Sequence, residues 1–370
     1  MTETSSSQRL LSLDTLRGFD MLLIAGGGTF IVRLKGKTGL NWVDTIADQL
    51  THPAWHGFTF YDFIFPLFLF IAGVSVVYSL ESGLARGIPK ETLLKKVFKR
   101  MIILFLLGII DKNIPTDVFN PSNIRFGTVL SRIGIATFFA ALFYLYLNPR
   151  QRFIGVVSIL LLYYAALFLV PVPGYGAGDI SFEGNLVGWF DRTFMPGRLL
   201  QGTYDENALL TQFPAMCLSI LGTFAALKLR ETETTEKSKV IWLLGVGALS
   251  IVIGLIWSLH FPINKHLWSS SFICVTAGMA FISLALFYYI IEILRWRRWT
   301  FFFKVIGLNS IAIYLIYRFI DFERTAWMLF GGLYQSLDEK WHNVFNAIGA
   351  LILIWWLMYF LYKRKIFFKV

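Results

Sequence analysis

The sequence predicts an all-α, polytopic membrane protein of about ten transmembrane helices in one bundle, with both termini cytoplasmic, and three observations carry that prediction. First, 56% of the 370 residues are hydrophobic, only 15% are charged, and the mean hydropathy is +0.61, which leaves too little polar surface for a water-solvated globule. Second, continuous apolar runs of 18 or more residues recur along the chain, and about 20 helical residues at 1.5 Å rise cross a hydrocarbon core of roughly 30 Å. Third, the runs do not alternate in polarity as barrel strands do, and in lipid each backbone amide needs a partner within its own segment.

In chain order the spans fall at 16–34, 60–81, 97–112, 128–147, 152–171, 207–229, 239–259, 268–293, 300–319 and 342–362. The third is short, and Lys99, Arg100 and Asp111 crowd it, which suits a tilted helix or one sheltered by its neighbours. Met1 to Ser7 is polar, and the first apolar run ends in Arg33, Lys35 and Lys37 without a small-residue cleavage site, so that span is expected to remain as an anchor. One membrane domain fills residues 1–370, with 1–15 as a short cytoplasmic amino-terminal segment.

The net charge of +11 could suggest nucleic acid, but the placement of the basic residues argues for topology instead. With the amino terminus inside, the inner segments hold Arg86, Lys90, Lys95, Lys96, Lys99 and Arg100, then Arg150 and Arg152, 228–239, 295–304 and 363–369, while the outer loops hold far fewer. This positive-inside asymmetry puts both termini in the cytoplasm for an even number of spans. A basic inner face is explained first by lipid headgroups, and it would also attract an anionic cytosolic ligand such as a nucleotide phosphate. The outer loops at about 35–59, 172–206 and 320–341 contain Gly, Pro and Trp, and 172–206, with Trp189, Phe190, Phe194 and Met195, is expected to fold back as a roof over the helix ends.

Polar groups inside apolar spans are costly and so mark either helix–helix pairs or a functional cavity. Here they are Asp14, Arg17 and Asp20, then Asp62, Arg132, Asn309 and Ser310, with Arg318 and Asp321 spaced as a simple i, i+3 pair. Of the five histidines, His52 and His56 lead directly into the second span. Such a histidine can act as a general base or nucleophile near neutral pH, or belong with Trp55 to an aromatic interface belt. His52, Asn264, Lys265 and His266 could converge on one face, yet no metal-binding His/carboxylate spacing is present, so no metal is expected. Cys217 and Cys274 both lie within spans and are expected to form no disulfide.

Several separated segments resemble the transmembrane acyltransferase family of heparan-α-glucosaminide N-acetyltransferase and its bacterial relatives. They are Ser12-Leu-Asp-Thr-Leu-Arg-Gly18, His52-Pro-Ala-Trp-His-Gly57 continuing through Asp62-Phe-Ile-Phe-Pro66 to Phe70-Ile-Ala-Gly73, Arg125-Phe-Gly-Thr-Val-Leu-Ser-Arg132, Tyr204-Asp-Glu-Asn-Ala-Leu-Leu210, Pro262-Ile-Asn-Lys-His-Leu-Trp-Ser269 and Gly307-Leu-Asn-Ser310. The blocks follow the family's order over residues 12 to about 320, and the resemblance implies its ten-span core, with the additional amino-terminal luminal domain of the lysosomal member not expected here. One departure stands out: Gly26-Gly-Gly28 occupies a stretch where the lysosomal member carries an Asn, and Asp20 lies a turn or more deeper.

The resemblance implies transfer of an acetyl group from cytosolic acetyl-CoA to an amino sugar of the glucosamine type on the other side of the membrane. His52 would be the catalytic residue, as base or acyl acceptor, with Asp62 or Asp14 orienting it. Trp55, Asn264, Lys265, Trp268, Asp205 and Asn309 are then candidates for the acceptor, with Trp55, Trp189 and Trp268 offering ring faces to a pyranose. Arg17, Arg125, Arg132 and Ser310 are candidates for CoA, although Arg125 and Arg132 could instead neutralise buried carboxylates. The expected partners are acetyl-CoA, an amino sugar and the lipid bilayer, with no nucleic acid and a homodimer left open. A bacterial inner membrane is the expected location. The competing class is a solute transporter, which would predict two related halves; residues 1–171 and 207–370 show no convincing repeat.

Overall fold

The computed structural model describes residues 10–113, 120–207 and 209–368, so the polar start of the chain and the last of the basic carboxy-terminal residues lie outside the described residues. Among these residues the secondary structure is helical, with only two isolated β-bridges. The chain divides into two compact units, 1–54 with 58–68 and 286–369, and 55–57 with 69–285.

The first unit contains α1 (Leu11–Ile24), α2 (Thr29–Val32) and α3 (Asn41–Gln49), and the start of α4 (Phe60–Ala85). The second contains the rest of α4, α5 (Lys90–Lys112), α6 (Val129–Tyr146), α7 (Pro149–Leu169), α8 (Leu186–Phe194), α9 (Gln212–Arg230), α10 (Glu236–Ser258) and most of α11 (Ser270–Tyr288). The chain then returns to the first unit with α12 (Thr300–Gly307), α13 (Ser310–Phe319), α14 (Phe322–Tyr334) and α15 (Glu339–Lys363).

Among the described residues seven helices are long and apolar enough to cross a membrane (α4, α6, α7, α9, α10, α11 with the π-helical turn after it, and α15), and an eighth span arises if the bent pair α12 and α13 is counted as one. The protein is a multi-pass membrane protein, and three of the ten expected spans fall outside these seven helices, each for a local reason. The first expected span stops at Ile24, where Gly26 adopts φ +83° and the chain turns before α2, so α1 is only 14 residues long. In α5 the uncharged stretch between Arg100 and Asp111 covers only about 15 Å of rise, half a bilayer core. The ninth expected span breaks between Gly307 and Ser310, and its halves meet at 71°.

Close helix approach within each unit depends on glycine. A Cβ on Gly73 of α4 would lie 1.9 Å from the Ser219 carbonyl oxygen of α9, and one on Gly222 would lie 2.3 Å from that of Phe70. In the first unit a Cβ on Gly18 of α1 would lie 1.8 Å from the Phe303 carbonyl oxygen of α12. Small residues of this kind let backbones pack where lipid supplies no hydrophobic drive between helices. Helices α7 and α10 bury only 28% and 22% of their apolar stretches, and Leu162, Leu169, Ile241 and Ile256 project outward from them, as a lipid-facing rim requires.

Candidate active site

The start of α4 positions a first cluster through its own capping chemistry. Thr59 stands just ahead of the helix, and Asp62 in the first turn reaches back so that Oδ2 accepts the Thr59 backbone N–H at 3.0 Å, the reciprocal bond of a capping box. The Phe60 N–H, another amide left open at a helix start, donates to Gln49 Oε1 at 3.1 Å. The Thr59 hydroxyl carries one proton and lies 2.6 Å from the Thr51 carbonyl and 3.2 Å from Asp62, so the carbonyl takes it and ties the two sides of the loop together.

Asp62 is completely buried, and capping leaves its Oδ1 for His52, whose Nδ1 lies 2.6 Å away. Because the carboxylate accepts, Nδ1 carries a proton, and in the neutral ring that places the lone pair on Nε2, the tautomer a general base needs. Tyr61 packs against the His52 ring at 4.8 Å between centroids, and the His52 side chain is 41% exposed. Of the two carboxylates expected to orient His52, Asp62 does so; Asp14 lies in α1 and pairs with Arg17 at 3.6 Å.

The residues that follow His52 belong to the second unit, where they enter an aromatic and amide cluster. The Trp55 indole donates to the Ile180 carbonyl at 3.0 Å and stacks on His266, with centroids 5.3 Å apart and planes 14° from parallel. Tyr204 shares a 2.7 Å hydrogen bond with His266 Nδ1, and burial pushes its phenol up, keeping the proton on the oxygen. Gly57, at φ +126°, turns the chain so that its N–H reaches the Ile263 carbonyl at 3.0 Å.

Asn264 fixes the state of His56. Its Oδ1 accepts the Leu267 N–H at 2.8 Å, so its Nδ2 must face His56 Nδ1 at 3.1 Å. His56 Nδ1 is therefore an acceptor and the ring is neutral, in agreement with a pKa lowered by burial and by neighbouring His266. His260 is separate, bonded through Nδ1 to Tyr164 at 2.8 Å.

The other expected site residues have the following surroundings. Arg125 forms a buried bidentate pair with Asp205, at 2.7 and 2.9 Å, and Asp205 also accepts the Leu200 and Asn207 amides, so Arg125 neutralises a carboxylate and both residues fasten the roof loop. The Arg132 guanidinium lies 4.3 Å from the Trp268 ring centre and donates to Thr211; Trp268 is 1% exposed and offers no open face to a sugar. Trp189 is half-buried on α8, edge-on to Phe194. Asn309 holds the end of the chain, donating to the Ile366 carbonyl at 3.0 Å and accepting the Phe368 amide at 3.1 Å, while the Ser310 hydroxyl bonds the Gly307 carbonyl across the α12–α13 break. Lys265 lies half-buried in the turn that ends at Trp268, a buried aromatic with positive φ, +49°. Asp20 is fully buried with neither carboxyl oxygen hydrogen-bonded.

Asp191 escaped the sequence reading because it sits in an exposed-looking loop motif. It is fully buried, accepts the Asp205 and Leu209 amides at 3.2 and 3.4 Å, and burial pushes its pKa up to about 7, with Asp205 adding to the rise and those amides and Arg132 opposing it. Among the described residues no three His, Cys, Asp or Glu side chains gather as a metal would require, and Cys217 and Cys274 are free thiols.

The family model described as "Heparan-alpha-glucosaminide N-acetyltransferase, catalytic" matches residues 9–262, more than half of the chain and the whole of the His52–Asp62 segment. The chain belongs to this family. Two relatives carry the name heparan-alpha-glucosaminide N-acetyltransferase: the Mus musculus protein, 26% identical over all of this chain and 62% of its own length, and the Homo sapiens protein, 26% identical over 98% of this chain and 60% of its own. The chain thus spans about three-fifths of the length of the curated heparan-alpha-glucosaminide N-acetyltransferases it matches.

Proposed function

We propose that this protein is a transmembrane N-acetyltransferase that moves an acetyl group from cytosolic acetyl-CoA to the amino group of a glucosamine-type sugar on the opposite side of the membrane. The observation that carries the reading is the 2.6 Å pairing of His52 with a fully buried Asp62 whose other oxygen is locked by the helix cap. Membership of a family whose members are named for this transfer supports the reaction class.

In this reading His52 Nε2 takes a proton from the acceptor amine as its nitrogen attacks the thioester carbonyl. The C–S bond breaks, the amide C–N bond forms, and the CoA thiolate leaves and takes up the proton from the imidazolium. Asp62 holds the ring and balances the charge that appears on it, and positioned proton transfer contributes roughly 10² to 10⁴-fold. An acetyl group carried transiently on His52 is the two-step variant of the same machinery. Trp55, with one ring face on His266, and Asn264 and Lys265 in the adjoining turn are proposed to shape the acceptor side. The compact outer loops suit a bacterial inner membrane.

The test is acetyl transfer from radiolabelled acetyl-CoA to glucosamine by purified protein in detergent, wild type beside His52→Ala. Transfer that vanishes with His52 is the expected result. Full activity in the variant would overturn the assignment of His52, and absence of acetyl-CoA binding by the wild type would turn attention to solute transport.

A further inference from the structure

A second feature lies in the second unit, outside the residues used above. A cavity of about 440 Å³ opens between α4 and α5, lined by the Ser75 and Ser79 hydroxyls on one side and by Lys96, Lys99 and Arg100 on the other. Gly83 and Leu93 bring the helices together near the turn that joins them: a Cβ on Gly83 would lie 2.5 Å from Leu93, and the cavity begins one turn of α4 away.

The pattern of charge along α5 is what an anion would explain. Lys95 and Lys99, and Lys96 and Arg100, are each spaced i, i+4, so like charges stack on neighbouring turns, an arrangement that destabilises a bare helix by a few tenths of a kcal/mol per pair. Among the described residues no carboxylate pairs with Lys96 or Lys99, and Glu91, one turn earlier, pairs with neither. Glu81, the acid nearest in sequence on α4, is already engaged by Tyr144 at 2.7 Å and Arg230 at 3.1 Å. Three cations and the Ser79 hydroxyl around one cavity are a donor set that phosphate oxygens take, with Arg supplying a planar fork and Lys point charges, while Ser75 on the same wall donates its hydroxyl to the Ile71 carbonyl at 2.7 Å.

We infer that this α4–α5 cavity is a binding site for an organic phosphate, through Lys96, Lys99, Arg100 and the Ser79 hydroxyl. Two sources share that chemistry: the nucleotide end of the acyl donor, which rests on the proposed use of acetyl-CoA, and the headgroup of an anionic lipid. In either case the stacked cations have a ligand-based purpose beyond topology.

The experiment measures equilibrium binding of radiolabelled coenzyme A to detergent-purified protein, together with phosphatidylglycerol retained by protein released from nanodiscs and read by native mass spectrometry. The variants are Lys96→Gln with Lys99→Gln, and Ser79→Phe, which fills the cavity and keeps the charge; Lys95→Gln is the control, since Lys95 does not line the cavity. Coenzyme A affinity falling tenfold or more in the first two and less than twofold in the control assigns the cavity to the donor's phosphates. Unchanged coenzyme A binding with loss of retained phosphatidylglycerol assigns it to lipid. If both readouts match wild type in correctly folded variants, the inference is overturned. If wild type binds no coenzyme A at all, the acetyl-CoA reading fails, and the lipid arm alone decides the cavity.

Discussion

Asp62 accepts the Nδ1 proton of His52 at 2.6 Å through one oxygen while the other closes the cap of its own helix at 3.0 Å. The carboxylate that orients the imidazole is thereby fixed by backbone geometry, before any other packing contact is considered.

This arrangement makes Asp62→Asn informative. The amide oxygen must still accept the Thr59 N–H, which leaves the Nδ2 group facing His52 as a donor; His52 Nδ1 then has to accept, and its proton moves to Nε2. The expected result is a fall in kcat of about 10² to 10⁴-fold with acetyl-CoA binding intact, as for other carboxylate-held histidine bases. Steady-state kinetics beside a direct binding measurement checks it, and wild-type kcat would count against the role of Asp62.

The Arg125–Asp205 pair is buried on both sides, with 7% and 1% of the side chains exposed. Removing one partner leaves an uncompensated buried charge, so Arg125→Met and Asp205→Leu should each cost about 3–5 kcal/mol. The double variant should cost clearly less than the sum of the two. Thermal unfolding followed by tryptophan fluorescence gives both numbers.

Gly73→Ala should abolish monodisperse folded protein or lower its melting temperature sharply, because the new methyl would meet the Ser219 carbonyl at 1.9 Å and α9 would have to move. Gly245→Ala on α10, where nothing lies within 4 Å of the added carbon, should be neutral or slightly stabilising. Size-exclusion profiles and melting curves of the two variants make the comparison.

Burial raises the Asp191 carboxyl from its ordinary 3.8 to about 7, so the folded state holds this proton more tightly than the unfolded chain. The sign follows: stability is greatest below about pH 4, falls as pH rises from there to about 7, and levels above it. Asp191→Asn should remove that part of the slope, so the melting temperatures of variant and wild type should diverge across this window. Parallel melting curves between pH 4 and 7 would contradict the assignment.

The membrane class and the helical content were legible in the sequence, because hydrophobic run length and the residue types at a helix start are local properties. The span count was less so. The positive φ of Gly26 ends α1 early, the charges of α5 interrupt its apolar stretch and the 71° break around Asn309 bends the ninth expected span, and only the first and second of these leave even a weak trace in the sequence.

Sequence alone determined the residue types available for chemistry: a histidine two turns ahead of a span, a carboxylate three residues after a threonine, and basic residues in alternate loops. Tertiary structure decided their partners. It gave His52 to Asp62 rather than Asp14, set Arg125 on Asp205, laid Arg132 over Trp268, tied Asn309 to the carboxy-terminal tail and buried Asp191. The physical reason is that helix formation depends on spacing within one segment, whereas hydrogen bonds and ion pairs between residues far apart in sequence exist only once packing has brought their atoms within about 3 Å.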